Sequence, residues 1–172
     1  LAPTLADRGL RVVVLDRGVV GRGHREWNIS AVELAPLLSS GLFTADEIEA
    51  LILARYDHGV CRWHEGGTYP VRGVLDHAID GEAFLGALRA KSIARGVRVL
   101  DHHELLGLST SQRGAVVIAR NTITGAKVEM TGRVVIDALG ASSPHAKVDL
   151  GCPTVGGVLS GLAVGDRDDE ID

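Results

Sequence analysis

Asp16 is the residue whose type and position point most directly to chemistry. The segment LAPTLADRGLRVVVLD, residues 1–16, has the pattern of a helix, a glycine turn and a buried strand that ends in this acid. In the βαβ unit that binds dinucleotides, an acid at the carboxyl end of the second strand accepts hydrogen bonds from ribose hydroxyls. The pattern predicts that role for Asp16, with the first strand and glycine-rich turn of the unit expected before residue 1. The alternative is a strand that ends in an ordinary polar turn.

A loop rich in arginine and glycine follows this strand. Its glycines have the order G-x-x-G-x-G over residues 18–23, the reverse of the phosphate-binding fingerprint, so we do not assign them to a phosphate loop. Arg17, Arg22 and Arg25 could contact a pyrophosphate as charged donors. Solvated arginines are the commoner case in loops, and that alternative stays open.

A second acid also follows a predicted strand, in the segment VVIDALGASSP. Here a buried strand over Arg133–Ala138 carries Asp137, and a turn with Gly140, Ser142 and Ser143 comes next. Glycine allows close approach of backbone to a ligand, and small hydroxyl residues can donate to phosphate. The alternative is an ordinary exit from a strand into a loop.

Other reactive side chains give weaker patterns. The cluster DHHE at residues 101–104 has ligand types that suit zinc or iron, but neighbouring residues on a strand point to opposite faces, so His102 and His103 are poorly placed to share an ion. Ser142 and Ser143 lack the G-x-S-x-G elbow of a serine nucleophile. We therefore predict no metal site, and the sequence assigns no catalytic acid, base or nucleophile.

Composition excludes several classes of protein. The 172 residues are 45% hydrophobic, which indicates a globular chain, and a net charge of −4 gives no basic field for nucleic acid. No apolar run reaches the length of a spanning helix, so a soluble protein is expected, with peripheral membrane contact left open. Cys61 and Cys152 form no CxxC pattern, which favours a reducing, cytoplasmic location. The chain begins with Leu1, so a targeting signal could precede it.

Local signals predict the elements that would position these residues. Capping boxes at Ser30 with Glu33 and at Thr44 with Glu47 each predict a short helix. Asp80 is the predicted N-cap of a longer helix, which a strand at residues 97–100 follows. Residues 57–70 show no clean period and are predicted as loop with one short strand at most.

The fold class that these elements predict is α/β. We expect a Rossmann-like domain with a parallel sheet and an antiparallel β-meander, incomplete at both ends. The whole of residues 1–172 would be one partial domain, with an excursion towards the substrate over about 26–75 and the meander over about 104–132.

The order of the motifs resembles the glutathione-reductase-type flavoproteins. Within them it is similar to the branch of para-hydroxybenzoate hydroxylase, geranylgeranyl reductases, lycopene cyclases and flavin-dependent halogenases. The matching segments are RVVVLDRG, VLDHAIDGEAFLGALRAKSIARGVRV and RVVIDALGASS, and EWNIS at Glu26–Ser30 looks most like the lycopene-cyclase relatives. The resemblance implies FAD as cofactor, Asp16 as a ribose ligand, and Asp137 and Gly140 beside FAD.

The chain departs from that family at several points. The G-x-G-x-x-G turn is missing, the D-A-L-G turn lacks the D-G dipeptide of the aromatic hydroxylases, and no halogenase W-x-W-x-I-P is present. The resemblance then implies part of an FAD-dependent oxidoreductase, acting on a small, apolar and isoprenoid-like molecule. Two alternatives are a cofactor-free Rossmann-like remnant and an NAD(P)-dependent dehydrogenase, and NAD(P)H could also serve the flavoprotein.

Overall fold

The computed structural model describes residues 1–23, 27–62, 65–147 and 170–171. Among these the chain forms two compact units. The first contains Leu1–His103 and Glu170–Ile171, and the second begins at Glu104. Most of the sequence features that predict a nucleotide site belong to the first unit.

Three of the four helices in the first unit begin where local signals place them. Glu33 Oε2 accepts from Ser30 N at 2.9 Å, and Thr44 Oγ1 accepts from Glu47 N at 3.2 Å, so both predicted capping boxes form. Asp80 caps the longest of the four helices. None of these helices has the length and apolar character needed to cross a membrane. The helices are α1 Ala2–Asp7, α2 Ala31–Ser39, α3 Ala45–Glu49 and α4 Gly81–Ala94.

Seven short strands accompany these helices. They are β1 Val13–Leu15, β2 Trp27–Ile29, β3 Ile52–Arg55, β4 His58–Arg62, β5 Thr68–Val71, β6 His77–Ile79 and β7 Arg98–Leu100. β1 pairs in parallel with β7, which follows α4. β6 lies between β2 and β3 and is antiparallel to both. The parallel pair brings the carboxyl ends of β1 and β7 to one edge.

The core of the first unit lies between the short helices and α4. Leu34, Leu42, Phe43, Ile48 and Leu51 are buried together, and Phe84 and Leu88 on one face of α4 pack against them. Each buried aliphatic or aromatic side chain of this size contributes about 1.5–3 kcal/mol relative to exposure. The core therefore fixes α2 and α3 against α4.

Antiparallel strands make up the second unit. β8 His103–Ser111, β9 Gly114–Asn121 and β10 Lys127–Gly132 form a sheet with β9 in the centre. Ala119 on β9 is fully buried, and Asn121 closes the turn to β10 by accepting from Ile123 N and Thr124 N at 2.9 Å each. Together with the parallel pair β1–β7, this sheet confirms the predicted α/β class.

The strand predicted over Arg133–Ala138 is not formed. These residues have no regular secondary structure, and Val134 and Ile136 are 77% and 57% exposed. An extended segment is a strand only when a neighbour pairs with its backbone, and no described strand pairs with this one. The prediction of a buried strand is therefore wrong for this structure.

The irregular segment 57–70 contains more structure than its sequence indicates. β4 and β5 form an antiparallel pair in which Gly59 lies opposite Val71 and Cys61 opposite Tyr69. A short strand, β11 Glu170–Ile171, pairs in parallel with β4 on its other side. The sequence of β4 has no clean hydrophobic period, and the sheet forms because β4 pairs with a neighbouring strand on each side.

Candidate functional site

Asp16 lies directly after β1, at the edge where the parallel strands end. Its backbone N–H continues the ladder by donating to Leu100 O at 3.2 Å, and its carbonyl accepts from His103 N at 2.8 Å. Its carboxylate Oδ1 accepts from Gly18 N at 2.6 Å. The side chain is exposed, and its second oxygen accepts nothing from the described part of the chain. One carboxylate oxygen is thus free to accept a hydrogen bond from a hydroxyl group of a ligand.

The loop after Asp16 is held by an ion pair that the sequence did not reveal. Asp101, directly after β7, accepts both Arg89 Nη1 and Arg89 Nη2 at 2.7 Å. The loop residue Val20 joins this pair twice, donating its N–H to Asp101 Oδ1 at 2.9 Å and accepting from Arg89 Nη1 at 2.7 Å. We call the set of Arg89, Asp101 and Val20 the loop clamp.

The loop clamp determines the charge state of Asp101. Arg89, through its side-chain hydrogen bonds, lowers the pKa of Asp101 to about 2, and the backbone N–H of Val20 acts in the same direction. The same contact raises the pKa of Arg89. Both groups are therefore charged at neutral pH, and charge-assisted hydrogen bonds fix the loop beside the edge that carries Asp16.

Two glycines allow the loop to lie directly on α4. Gly21 has a φ of +79°, and a Cβ there would come 2.9 Å from Arg89 Cβ and 3.0 Å from Leu85 O. A Cβ on Gly23 would come 2.9 Å from the side chain of Leu85. These glycines therefore serve contact between loop and helix, which agrees with rejecting them as a phosphate loop.

The structure describes two of the three predicted arginines of the loop. Arg17, next to Asp16, and Arg22 are both exposed. Arg25, together with Glu26 of the EWNIS segment, lies outside the described residues. Contact of these arginines with a pyrophosphate remains a prediction.

Asp137 and Gly140 meet in one turn of the second unit. Asp137 accepts from Leu139 N at 2.9 Å and from Ser143 Oγ at 2.5 Å. The Ser143 hydroxyl, followed by Leu139 N, lowers the pKa of Asp137. Gly140 has a φ of +57° and opens a 3-10 turn over Gly140–Ser142. Asp137 thus stabilises its own turn as an exposed carboxylate, in a unit separate from that of Asp16.

The histidine cluster forms no metal site in the described part of the chain. No group of three or more His, Cys, Asp or Glu side chains there could hold an ion. Asp101 is committed to Arg89, and His103 Nδ1 lies 2.6 Å from Asp101 O. In the sequence, Asp101 is a candidate only as a metal ligand. The signal that could have found its role is its place directly after a strand parallel to β1, at the same edge as Asp16.

Comparison with known proteins gives likeness at the level of fold. No family model and no curated protein matches the sequence. The myxobacterial chondrochloren halogenase CndH, an FAD-dependent halogenase, superposes with a TM-score of 0.66 and 24% identity over 83% of this chain and 35% of its own. The flavin-dependent halogenase CmlS superposes with a TM-score of 0.64 and 20% identity, over 83% of this chain and 27% of its own. The flavin-dependent monooxygenase PieE, solved with FAD and substrate, has a TM-score of 0.64 and 17% identity, over 82% of this chain and 28% of its own.

The chain corresponds to only part of each of these structures. It spans between about a quarter and a third of the length of these solved structures. Those structures are an FAD-dependent halogenase, a flavin-dependent halogenase and a flavin-dependent monooxygenase. Their likeness does not confirm the hydroxylase, reductase and cyclase branch that the motifs resemble. The fold of this chain is therefore similar to part of the fold of these flavin-dependent enzymes.

Proposed function

We propose that this chain is the part of an FAD-dependent oxidoreductase that holds the adenosine side of the cofactor. The observation that carries the proposal is Asp16, an exposed carboxylate with a free oxygen at the carboxyl end of a parallel strand. This is where dinucleotide-binding sheets hold a ribose. The likeness to FAD-dependent halogenases and monooxygenases supports the choice of FAD over NAD(P)H.

The residues around Asp16 are compatible with a nucleotide. The free oxygen of Asp16 would accept a ribose hydroxyl, while its bonded oxygen keeps the loop turned at Gly18. Arg17 and Arg25 would donate to the pyrophosphate, and Asp137 with Gly140 would lie beside the cofactor, as the family resemblance implies. The loop clamp would keep the acceptor in place before the ligand arrives, which reduces the ordering cost of binding.

FAD itself would supply the redox chemistry, either hydride transfer or reaction with oxygen. The contribution of this chain is binding and orientation, and no side chain of it is assigned as a catalytic acid or base. We further propose that the substrate is a small, apolar, isoprenoid-like molecule. The support for that step is the resemblance of EWNIS at Glu26–Ser30 to lycopene-cyclase relatives.

Cofactor titration tests the proposal. The purified protein is titrated with FAD and, separately, with FMN, which lacks the adenosine ribose, and flavin fluorescence reports binding. Asp16→Ala removes a charge-assisted acceptor and should weaken FAD by about 1.5–3 kcal/mol, or roughly 10- to 150-fold. FMN affinity should not change, because FMN offers Asp16 no ribose.

A charge-matched variant separates a direct contact from a general field. Glu129→Ala removes another exposed carboxylate, from β10, and should leave FAD binding as it is. A protein that takes up no flavin would favour the cofactor-free remnant, and uptake of NAD(P)H in place of FAD would overturn the proposal. Unchanged FAD affinity in Asp16→Ala would remove Asp16 from the site.

A further inference from the structure

A pocket of about 290 Å³ lies in the first unit. It is formed by β2, α2, β6 and the start of α4. Its walls are mostly apolar, with a carboxylate among them. The residues that line the pocket include Trp27, Glu33, Leu37, Leu75, Ile79 and Phe84.

One wall of the pocket is aromatic, and a buried ring packs against it. Trp27 and Phe84 meet edge to face, with ring centroids 5.8 Å apart and an angle of 64°. Phe84 in turn stacks on Phe43 at 5.4 Å, and Phe43 is only 4% exposed. Trp27 is 37% exposed. A ring that enters the pocket would therefore find aromatic surface that is already positioned, and aromatic pairs favour such geometry.

Leu75, which also lines the pocket, is held in an unusual backbone conformation. Its φ is +52°, a value that residues other than glycine rarely adopt. Residues with such strained backbone conformations are frequent at ligand sites. Its N–H donates to Ser30 Oγ at 3.0 Å. The next residue, Asp76, accepts from Ala31 N at 2.8 Å and lies 2.7 Å from His77 Nδ1. This network fixes the position of Leu75 against the start of α2.

Glu33 supplies the polar group of the pocket. Its Oε2 accepts from Ser30 N at 2.9 Å as part of the capping box. Its other oxygen accepts nothing from the described part of the chain. A capped glutamate with one free oxygen offers a positioned acceptor beside apolar walls, the combination typical of small-molecule sites.

We propose that this pocket binds a one- or two-ring aromatic group that donates a hydrogen bond to Glu33. The size agrees, because a cavity of about 150 Å³ holds benzene and ligand pockets begin at about 300 Å³. Trp27 and Phe84 provide the stacking surface, and Leu75 and Ile79 line the apolar sides. The site does not depend on the proposed FAD function, since none of its residues belongs to the loop clamp or to Asp16.

The test uses 2-naphthol, which can donate, and naphthalene, which cannot. Binding to the whole protein is followed by the NMR shift of the Trp27 indole N–H in a Trp63→Phe background, which leaves one tryptophan signal. Both probes should give saturable shifts, with 2-naphthol the tighter. Glu33→Gln keeps the capping box and should weaken 2-naphthol about three- to tenfold without affecting naphthalene.

A filling variant tests whether the pocket itself is the site. Leu37→Phe adds a ring to its interior without a second indole and should weaken both probes at least about tenfold. Leu53→Phe adds the same ring at a strand position that is 70% exposed and does not line the pocket, so binding should persist. No saturable shift up to about 5 mM 2-naphthol, or equal binding by Leu37→Phe, would overturn the proposal. The titration is run without flavin, so failure here is distinct from failure of the FAD proposal.

Discussion

Removing the charge of Asp101 should loosen the loop that follows β1. Asp101 is the residue on which the loop clamp depends, since it binds Arg89 through both oxygens at 2.7 Å and accepts Val20 N at 2.9 Å. In Asp101→Asn the side-chain oxygen can still accept from Val20. The amide nitrogen that replaces the other oxygen is a donor, so one of the two bonds from Arg89 is lost and the other is made to a neutral acceptor.

The size of the effect follows from the pKa of Asp101. Arg89 lowers it from 3.8 to about 2, a difference that corresponds to at most about 2 kcal/mol of stability. The two side chains are each 28% exposed, so solvent screening reduces this to about 1 kcal/mol. Because the folded-state pKa is lowered, the contribution is complete above about pH 4 and is lost as the pH falls towards 2.

Urea unfolding of the wild type and Asp101→Asn, measured from pH 7 downwards, checks this prediction. The variant should be less stable by about 1 kcal/mol at pH 7, and the gap should close between about pH 4 and pH 2. The control is Glu104→Gln, which breaks an ion pair with Arg120 that is 35% and 47% exposed and should cost under about 0.5 kcal/mol. A gap for Asp101→Asn that stayed constant with pH would refute the electrostatic reasoning.

Three further substitutions test local packing and capping. Gly21→Ala should lower the free energy of unfolding by about 2 kcal/mol or more, because the new Cβ would lie 2.9 Å from Arg89 Cβ at a φ of +79°. Gly9→Ala has a similar φ of +76° but open space around it, and chemical denaturation should show a loss of only about 1 kcal/mol. Thr44→Ala removes the acceptor for Glu47 N and should cost about 1 kcal/mol, measured in the same way, and no loss would argue against that cap.

The helices were the most predictable part of the molecule. The sequence signals at Ser30, Thr44 and Asp80 predict three helix starts, and all three residues are N-caps in the structure. The interactions that fix a helix start span only three or four residues, so they can be recognised without knowing the fold. For that reason the same sequence signals hold in the folded chain.

The loop clamp could not be recognised in this way. Arg89 and Asp101 are separated from Val20 by 69 and 81 residues. Their contact exists only because β7 pairs in parallel with β1 and brings Asp101 beside the loop. A basic residue on a helix and an acid after a strand are ordinary features of a sequence. Their pairing is a property of the topology, which local patterns leave open.

Two segments with nearly the same sequence show where local information ends. RVVVLD and RVVID each contain a β-branched apolar run and an aspartate. Both aspartates accept from the backbone N–H two residues on, Asp16 from Gly18 and Asp137 from Leu139. Only the first run is a strand, because β7 pairs with it. The turn chemistry of an aspartate is therefore encoded locally, whereas strand formation depends on a neighbour, and an acid after an apolar run indicates a strand end only when that neighbour is present.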